Sequence, residues 1–238
     1  MTASAFRIAT AQYPISFLQD WADYHAKISQ WVQDACDNDA NLLLFPEYCS
    51  MELASLFEPA IYQSLAGQLN ALQSLRADFL QLFSQQAQQH GVTILAGTFP
   101  VRQADGRYTN RAYLLRPNGS HDFQDKLQMT RFENEQWHIS AGQELKVLDS
   151  DVGKIGVCIC YDSEFPLLAR AQVERGANMI LVPSCTDTLA GYHRVRIGCQ
   201  ARALENQCYV AQAALVGNAP WSETVDVNVG AAAVYTPV

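Results

Sequence analysis

Short apolar runs alternate along the chain with longer stretches whose apolar positions recur at helical spacing. Residues 6–13 read as a first strand and residues 21–37 as an amphipathic helix. Residues 41–45, Asn-Leu-Leu-Leu-Phe, form a continuous apolar run closed by Pro46, the pattern of a strand buried on both faces. Residues 59–90 are rich in Leu and Gln with no internal proline, which predicts one or two helices stopped by Gly91. A further buried strand is expected over 92–99. Segments 108–116 and 121–126 flank Pro117-Asn118-Gly119-Ser120, and Asn-Gly supplies the positive φ angles of a tight hairpin. Segments 146–148 and 154–160 pair in the same way across Gly153. Helices follow over 163–175 and 194–206, with strands over 179–182, 208–216 and 231–235. Strand–helix alternation with inserted hairpins predicts an α/β protein with a mixed sheet, or two sheets, and helices outside. No repeat or linker interrupts the pattern, so residues 1–238 are expected to form one domain.

Composition narrows the picture. Hydrophobic residues make up 49% of the chain and charged residues 17%, against a usual charged share of roughly 25%. That deficit points to a surface partly covered by a partner, hence a homodimer or higher homo-oligomer. The net charge of −8 leaves no basic face for tracking phosphates, which excludes nucleic acid as a partner. No apolar run approaches the ~20 residues of a membrane span. The start, Met-Thr-Ala-Ser-Ala-Phe-Arg, carries no basic and apolar leader, so a cytoplasmic protein without membrane attachment is expected. Seven cysteines spread through apolar surroundings do not form a disulfide framework. Cys158-x-Cys160 lacks a second pair for a structural zinc, and the five histidines show no ligand spacing.

Candidate chemistry concentrates in Lys154-Ile-Gly-Val-Cys-Ile-Cys160-Tyr-Asp-Ser-Glu-Phe-Pro166. Alternation places Cys158 and Cys160 on one strand face. Asp162 or Ser163 reads as the cap of the next helix. Cys160 is thereby expected at a strand-to-helix corner near a positive helix terminus, exposed and with its thiolate favoured. Read alone, it is equally one more core thiol. Glu47 directly follows a buried strand, and Lys126 ends a hairpin strand; alone, these read as an ordinary loop carboxylate and an ordinary surface lysine.

In order, Phe45-Pro46-Glu47, then Lys126, then Cys160-Tyr161-Asp162-x-x-Phe165-Pro166 strongly resembles the nitrilase superfamily of carbon–nitrogen hydrolases. The resemblance extends from Arg7-Ile-Ala-Thr-Ala-Gln-Tyr13 through Ala96-Gly97-Thr98 and Val182-Pro183-Ser184 to Ala201-Arg-Ala-Leu-Glu205-Asn206. It implies a four-layer α-β-β-α sandwich of two mixed sheets with outer helices, pairing through helices into a dimer. It implies a triad of Glu47, Lys126 and Cys160. A second glutamate falls on Glu135, whose spacing to Ser140-Ala-Gly142 matches better than that of Glu133. Tyr161 is implied as an oxyanion donor through its backbone N–H, and Ser184 and Cys185 as pocket residues.

The implied reaction is hydrolysis of a non-peptide C–N bond in a small-molecule amide, through a thioester on Cys160, with no metal or organic cofactor. The Cys-Tyr-Asp-x-x-Phe-Pro form favours an amidase over a true nitrilase. Nitrilase, carbamoyl hydrolase and acyltransferase reactions share the triad. A catalytically silent scaffold and a redox-sensing thiol protein are competing readings. Cys158 reads as core, Cys49 as either pocket or core, and His90 and His193 as structural. Arg194, Arg196 and Arg202 read as partners of Glu205 rather than of a substrate carboxylate. The chain stops at Tyr235-Thr-Pro-Val238, earlier than relatives do, so a missing C-terminal tail is expected.

Overall fold

The computed structural model describes residues 6–237; the leader expectation for residues 1–5, and Val238, lie outside them. The chain opens with β1 (Ile8–Thr10) and β2 (Gln12–Pro14), then α1 (Trp21–Asp37) and β3 (Leu42–Leu44). A 3₁₀ turn, Cys49–Leu56, leads to α2 (Pro59–Tyr62), α3 (Leu65–Leu72) and α4 (Arg76–His90). Next come β4 (Thr93–Arg102), β5 (Tyr108–Leu115), β6 (His121–Asp125), α5 (Arg131–Glu135) and β7 (Ile139–Ser140). The second half carries β8 (Val147–Ser150), β9 (Gly153–Val157), a 3₁₀ turn Cys160–Glu164, α6 (Pro166–Glu174) and β10 (Met179–Ser184). It closes with α7 (Leu189–Asn206), β11 (Tyr209–Asn218), β12 (Val227–Asn228) and β13 (Ala233–Tyr235).

Two mixed sheets result. The first runs β1-β3-β4-β5-β6 with β7 beside β5; the second runs β12-β11-β10-β9-β8 with β13 and β2 also on β11. Period-2 alternation divides the core between two layers of contact. Leu42 and Leu44 of β3 join Val157, Leu181 and Val210 of the second sheet, together with Ala169 of α6 and Cys199 and Ala203 of α7. Leu43, between them, joins the cluster of Tyr24, Ile28 and Val32 of α1 and Phe79 and Phe83 of α4. Helices thus cover the outer faces of two sheets packed together, the four-layer α-β-β-α arrangement. Three consecutive leucines suit β3 because both of its faces are dry. Leu167, Leu189, Ile197 and Leu204 stand exposed on α6 and α7. No helix among the described residues is long and apolar enough to cross a membrane.

Several elements differ from their sequence expectation. The strand expected over 6–13 is two strands in two sheets. Ala11 is the hand-over point: its N–H donates to Leu44 O in the first sheet at 2.9 Å, and its carbonyl accepts from Ala214 N–H in the second at 2.9 Å. The helical stretch 59–90 breaks twice, since Ser64 caps a new helix through the Gly67 N–H and a 3₁₀ turn occupies 73–75. The helix expected from 163 starts at Pro166, because a proline at the first helical position resets the chain after the 3₁₀ turn. α7 starts five residues earlier than expected, where the Thr188 side chain accepts from Gly191 N–H.

Candidate active site

Three chain segments converge at one end of the sandwich. Beyond β3, Phe45 continues the ladder by donating to Leu95 O, and Pro46 then ends it, delivering Glu47. Tyr48 follows in the left-handed region at φ 57 and anchors the turn by donating its N–H to Thr98 Oγ1 at 2.9 Å. Gly97 (φ +67) makes that turn possible, for any Cβ there would collide with Pro46 O and Cys49 Sγ.

Lys126 directly follows β6. Its N–H donates to Asn110 O at 2.8 Å and its carbonyl accepts from Gly142 N–H at 2.8 Å, so the backbone is held on both sides. The ammonium is wholly buried among carboxylates. Nζ donates to Glu47 Oε1 at 2.8 Å and to Glu133 Oε1 and Oε2 at 2.8 and 2.7 Å. Asn110 Nδ2 also donates to Glu47 Oε1, at 2.9 Å, and Cys185 N–H to Glu47 Oε2, at 3.1 Å. Glu133 is fixed in turn by the Tyr48 hydroxyl at 2.6 Å and by the N–H and hydroxyl of Thr130. Each carboxylate oxygen in this network has a donor, which is what buried charge requires.

Cys160 begins the 3₁₀ turn after β9, at a positive φ of 46. Its carbonyl accepts from Ser163 Oγ at 2.7 Å, and its thiol lies 3.4 Å from Cys185 O. Asp162 braces the corner from beneath. Its carboxylate accepts from Gln128 N–H at 2.7 Å and Ile159 N–H at 3.1 Å, and also from Leu127 N–H. One side chain thereby joins the turn holding Cys160 to the loop leaving Lys126. Arg202 of α7 adds a bond to Ser163 O at 3.0 Å while pairing with Glu205 at 2.6 Å.

Electrostatics follow from this burial. Desolvation pushes the Glu47 carboxyl up to about 7, against the pull of Lys126. Burial works against the Lys126 charge, but Glu133 and Glu47 outweigh it and hold the ammonium protonated well above the usual lysine range. Burial opposes the charge on Glu133 as well, yet Lys126 and Tyr48 keep it below the ordinary carboxylate value. Burial, joined by the Glu47 charge, pushes the Cys160 thiol well up. Burial also takes the Asp162 carboxyl up to about 7.

Glu47, Lys126, Glu133, Cys160, Tyr161 and Cys185 all line one cavity of about 480 Å³. A thiol, a carboxyl raised to about 7 and a fixed cation share that space. Residues 7–237 match the family described as Carbon-nitrogen hydrolase. The chain belongs to the carbon-nitrogen hydrolase family. It is 37% identical over 236 residues to Probable hydrolase YhcX of Bacillus subtilis, covering 98% of this chain and 45% of that protein. This chain therefore spans under half the length of that relative. It is 25% identical over 217 residues to Omega-amidase NIT2-B of Xenopus laevis, covering 87% of this chain and 74% of that one. Among solved structures, Saccharomyces cerevisiae Nit3, a member of branch 10 of the nitrilase superfamily, superimposes with a TM-score of 0.76 at 21% identity, over 98% of this chain and 82% of that chain. That last likeness speaks to the fold.

The site of this family member departs from the sequence reading in particular places. Glu135 is not beside Lys126: it lies on the surface, 3.0 Å from Arg131 in an i,i+4 pair. Glu133 occupies the expected position instead. The reason is local, because Thr130 and Glu133 form a capping box that folds the Glu133 carboxylate inward at the start of α5, while Glu135 faces out near its end. Cys160 is buried at 5% exposure rather than exposed, and its thiol rather than its thiolate is favoured. The helix that starts at Cys160 is a 3₁₀ turn, and α6 begins only at Pro166. Ser184 does not line the cavity; its hydroxyl donates to Ala213 O at 2.6 Å. Cys49 belongs to the core, its thiol near Ala96 O. Arg194 pairs with Glu164, not with Glu205.

The two glutamates give a direct test. Glu133→Gln is expected to lower kcat at least about tenfold, because a charge-assisted contact to Lys126 worth roughly 1.5–3 kcal/mol is lost. Glu135→Gln is expected to stay within about twofold, since an exposed i,i+4 pair contributes under ~0.5 kcal/mol. Steady-state kinetics on both variants, with melting curves, checks the order; equal effects would reject the assignment.

Proposed function

We propose that this chain hydrolyses a small amide to a carboxylic acid and ammonia or an amine, through a thioester on Cys160. The observation that carries the reading is the convergence of Cys160, Glu47 and Lys126 on one cavity, with Lys126 Nζ 2.8 Å from Glu47 Oε1.

In the resting site the thiol keeps its proton and Glu47 is the acceptor. Glu47 takes the proton as sulfur attacks the amide carbon, so no free thiolate is needed beforehand. The carbonyl oxygen becomes an oxyanion facing the Lys126 ammonium and the Tyr161 N–H. One such donor is worth ~3–4 kcal/mol of barrier. Glu47 then returns the proton to the departing nitrogen as the C–N bond breaks and the thioester remains. A water that gives its proton to Glu47 attacks the thioester; a second tetrahedral species collapses to acid and thiol. Glu133 keeps Lys126 charged and in place without exchanging protons. Asn110 and the Cys185 N–H orient the Glu47 oxygens.

The test is ammonia release across small amides, ω-amides, carbamoyl amines and nitriles, with Cys160→Ala as blank. The reading expects release from at least one amide, with kcat/KM rising as pH climbs through about 7. The sign follows from the base role: Glu47 must be deprotonated to accept the thiol proton, and burial places that change near neutrality. Release from nitriles alone would overturn the amidase reading. Activity unchanged in Cys160→Ala would overturn the mechanism.

A further inference from the structure

The cavity that holds Cys160 has an uneven charge at its mouth. Glu164, Asp187, Glu223 and Asp226 line it, against Arg194 as the cation there. Arg194 is already committed to Glu164 at 3.2 Å. Asp187, Glu223 and Asp226 are exposed and take part in no ion pair among the described residues. They come from separate stretches of chain: Asp187 from the β10–α7 loop, Glu223 and Asp226 from the β11–β12 loop. Deeper in, the Lys126 charge is consumed by Glu47 and Glu133. A cleft lined by one sign of charge between low-dielectric walls focuses its field on whatever enters.

A second feature of the same cavity points the same way. Tyr48, Phe132 and Trp137 line the cavity, with the Trp137 ring 4.8 Å from Tyr48 and 6.0 Å from Phe132 between centroids. Aromatic faces attract cations and accept apolar chain, and they offer nothing to a carboxylate. Resting on the reading of this cavity as an amide-hydrolysing site, we propose that its substrate carries an ammonium or guanidinium on the side away from the scissile carbonyl. The carboxylates at the mouth hold that cation, the aromatic wall accepts the spacer, and an amide ending in a second carboxylate is repelled.

The charge preference is read on Cys160 itself, by three methanethiosulfonates bearing a trimethylammonioethyl, a methyl or a sulfonatoethyl group. Each rate, followed by peptide mass mapping of Cys160, is divided by the same reagent's rate with a small free thiol. The corrected cation-to-anion ratio is expected to be at least about 10 at low salt. It should fall toward unity as ionic strength rises from ~0.01 to ~1 M and the Debye length shrinks from ~30 to ~3 Å. It should also fall several-fold in the Asp187→Asn/Glu223→Gln/Asp226→Asn variant; the salt series needs no variant and so stands whether or not that protein folds. In turnover, kcat/KM for 4-aminobutanamide should exceed that for succinamate at least about tenfold. A corrected labelling ratio at or below 1, or the reverse substrate order, would overturn the proposal. Because labelling requires no hydrolysis, a failure of the hydrolase reading shows up separately, as absent turnover of every amide alongside a preserved ratio.

Discussion

Cys160→Ala should abolish amide turnover, by a factor of at least about 10⁴, and leave the fold intact. The size follows from the role: without the covalent centre, the remaining cation and N–H donors act only on water, and members of such a unit do not substitute for one another. The fold survives because the thiol makes only a weak 3.4 Å approach to Cys185 O, while the corner is held by other groups. Ser163 Oγ, the Asp162 carboxylate and Arg202 tie down that turn without the sulfur. Cys160→Ser should be equally inactive, since a hydroxyl is a much weaker nucleophile than a thiol and the site is shaped around sulfur. Ammonia release and a melting curve on each variant check both halves. Loss of activity accompanied by unfolding would leave the corner, not the chemistry, as its cause.

Lys126→Ala carries the second large effect, and here catalysis and stability fall together. kcat is expected to drop by at least a factor of about 100 with a smaller change in KM, because the ammonium acts on the developing oxyanion. Stability should fall by roughly 3–5 kcal/mol, the usual cost of removing one partner of a buried ion pair. In this variant Glu47 and Glu133 face each other as buried carboxyls without their shared cation. Their folded pKa values then rise above the unfolded ~4.3. A carboxyl raised in this way binds protons more tightly folded than unfolded, so the variant loses stability as pH rises from about 4 through those raised values. Urea denaturation at pH 5 and pH 8 measures this. The variant should be more stable at the lower pH; wild type carries a slope of the same sign from Glu47 and Asp162, both raised to about 7, and the variant's should be the steeper because Glu133 joins them.

Much of this site was legible in local patterns. Pro46 after a leucine run marked where β3 stops and Glu47 begins, and the Asn118-Gly119 turn set the hairpin that ends at Lys126. The spacing of Cys160 to Pro166 marked the corner. What escaped was set by tertiary context. Ala11 gives its N–H to one sheet and its carbonyl to the other, and no periodicity in residues 6–13 announces that switch. Burial reversed the expectation for Cys160, because the thiol is covered by chain from the Cys185 loop, distant in sequence. Glu133 did have a local signal. Thr130-Arg-Phe-Glu133 reads as a capping box, which turns a glutamate back over its own helix start, and spacing to Ser140 obscured it. Asn110 lies mid-strand in β5 and meets Glu47 only through sheet register, so nothing local marks it.

The central claim is that carbon–nitrogen cleavage passes through sulfur at Cys160, and the measurement that addresses it is mass spectrometry of the protein quenched in acid during turnover of a hydrolysed amide. Peptide mapping should find the acyl mass on Cys160 in wild type. The adduct should accumulate with hydroxylamine-sensitive thioester chemistry and be absent from Cys160→Ala. An acyl group mapped to Cys49 or Cys185 instead, or continued turnover by Cys160→Ala, would contradict the account.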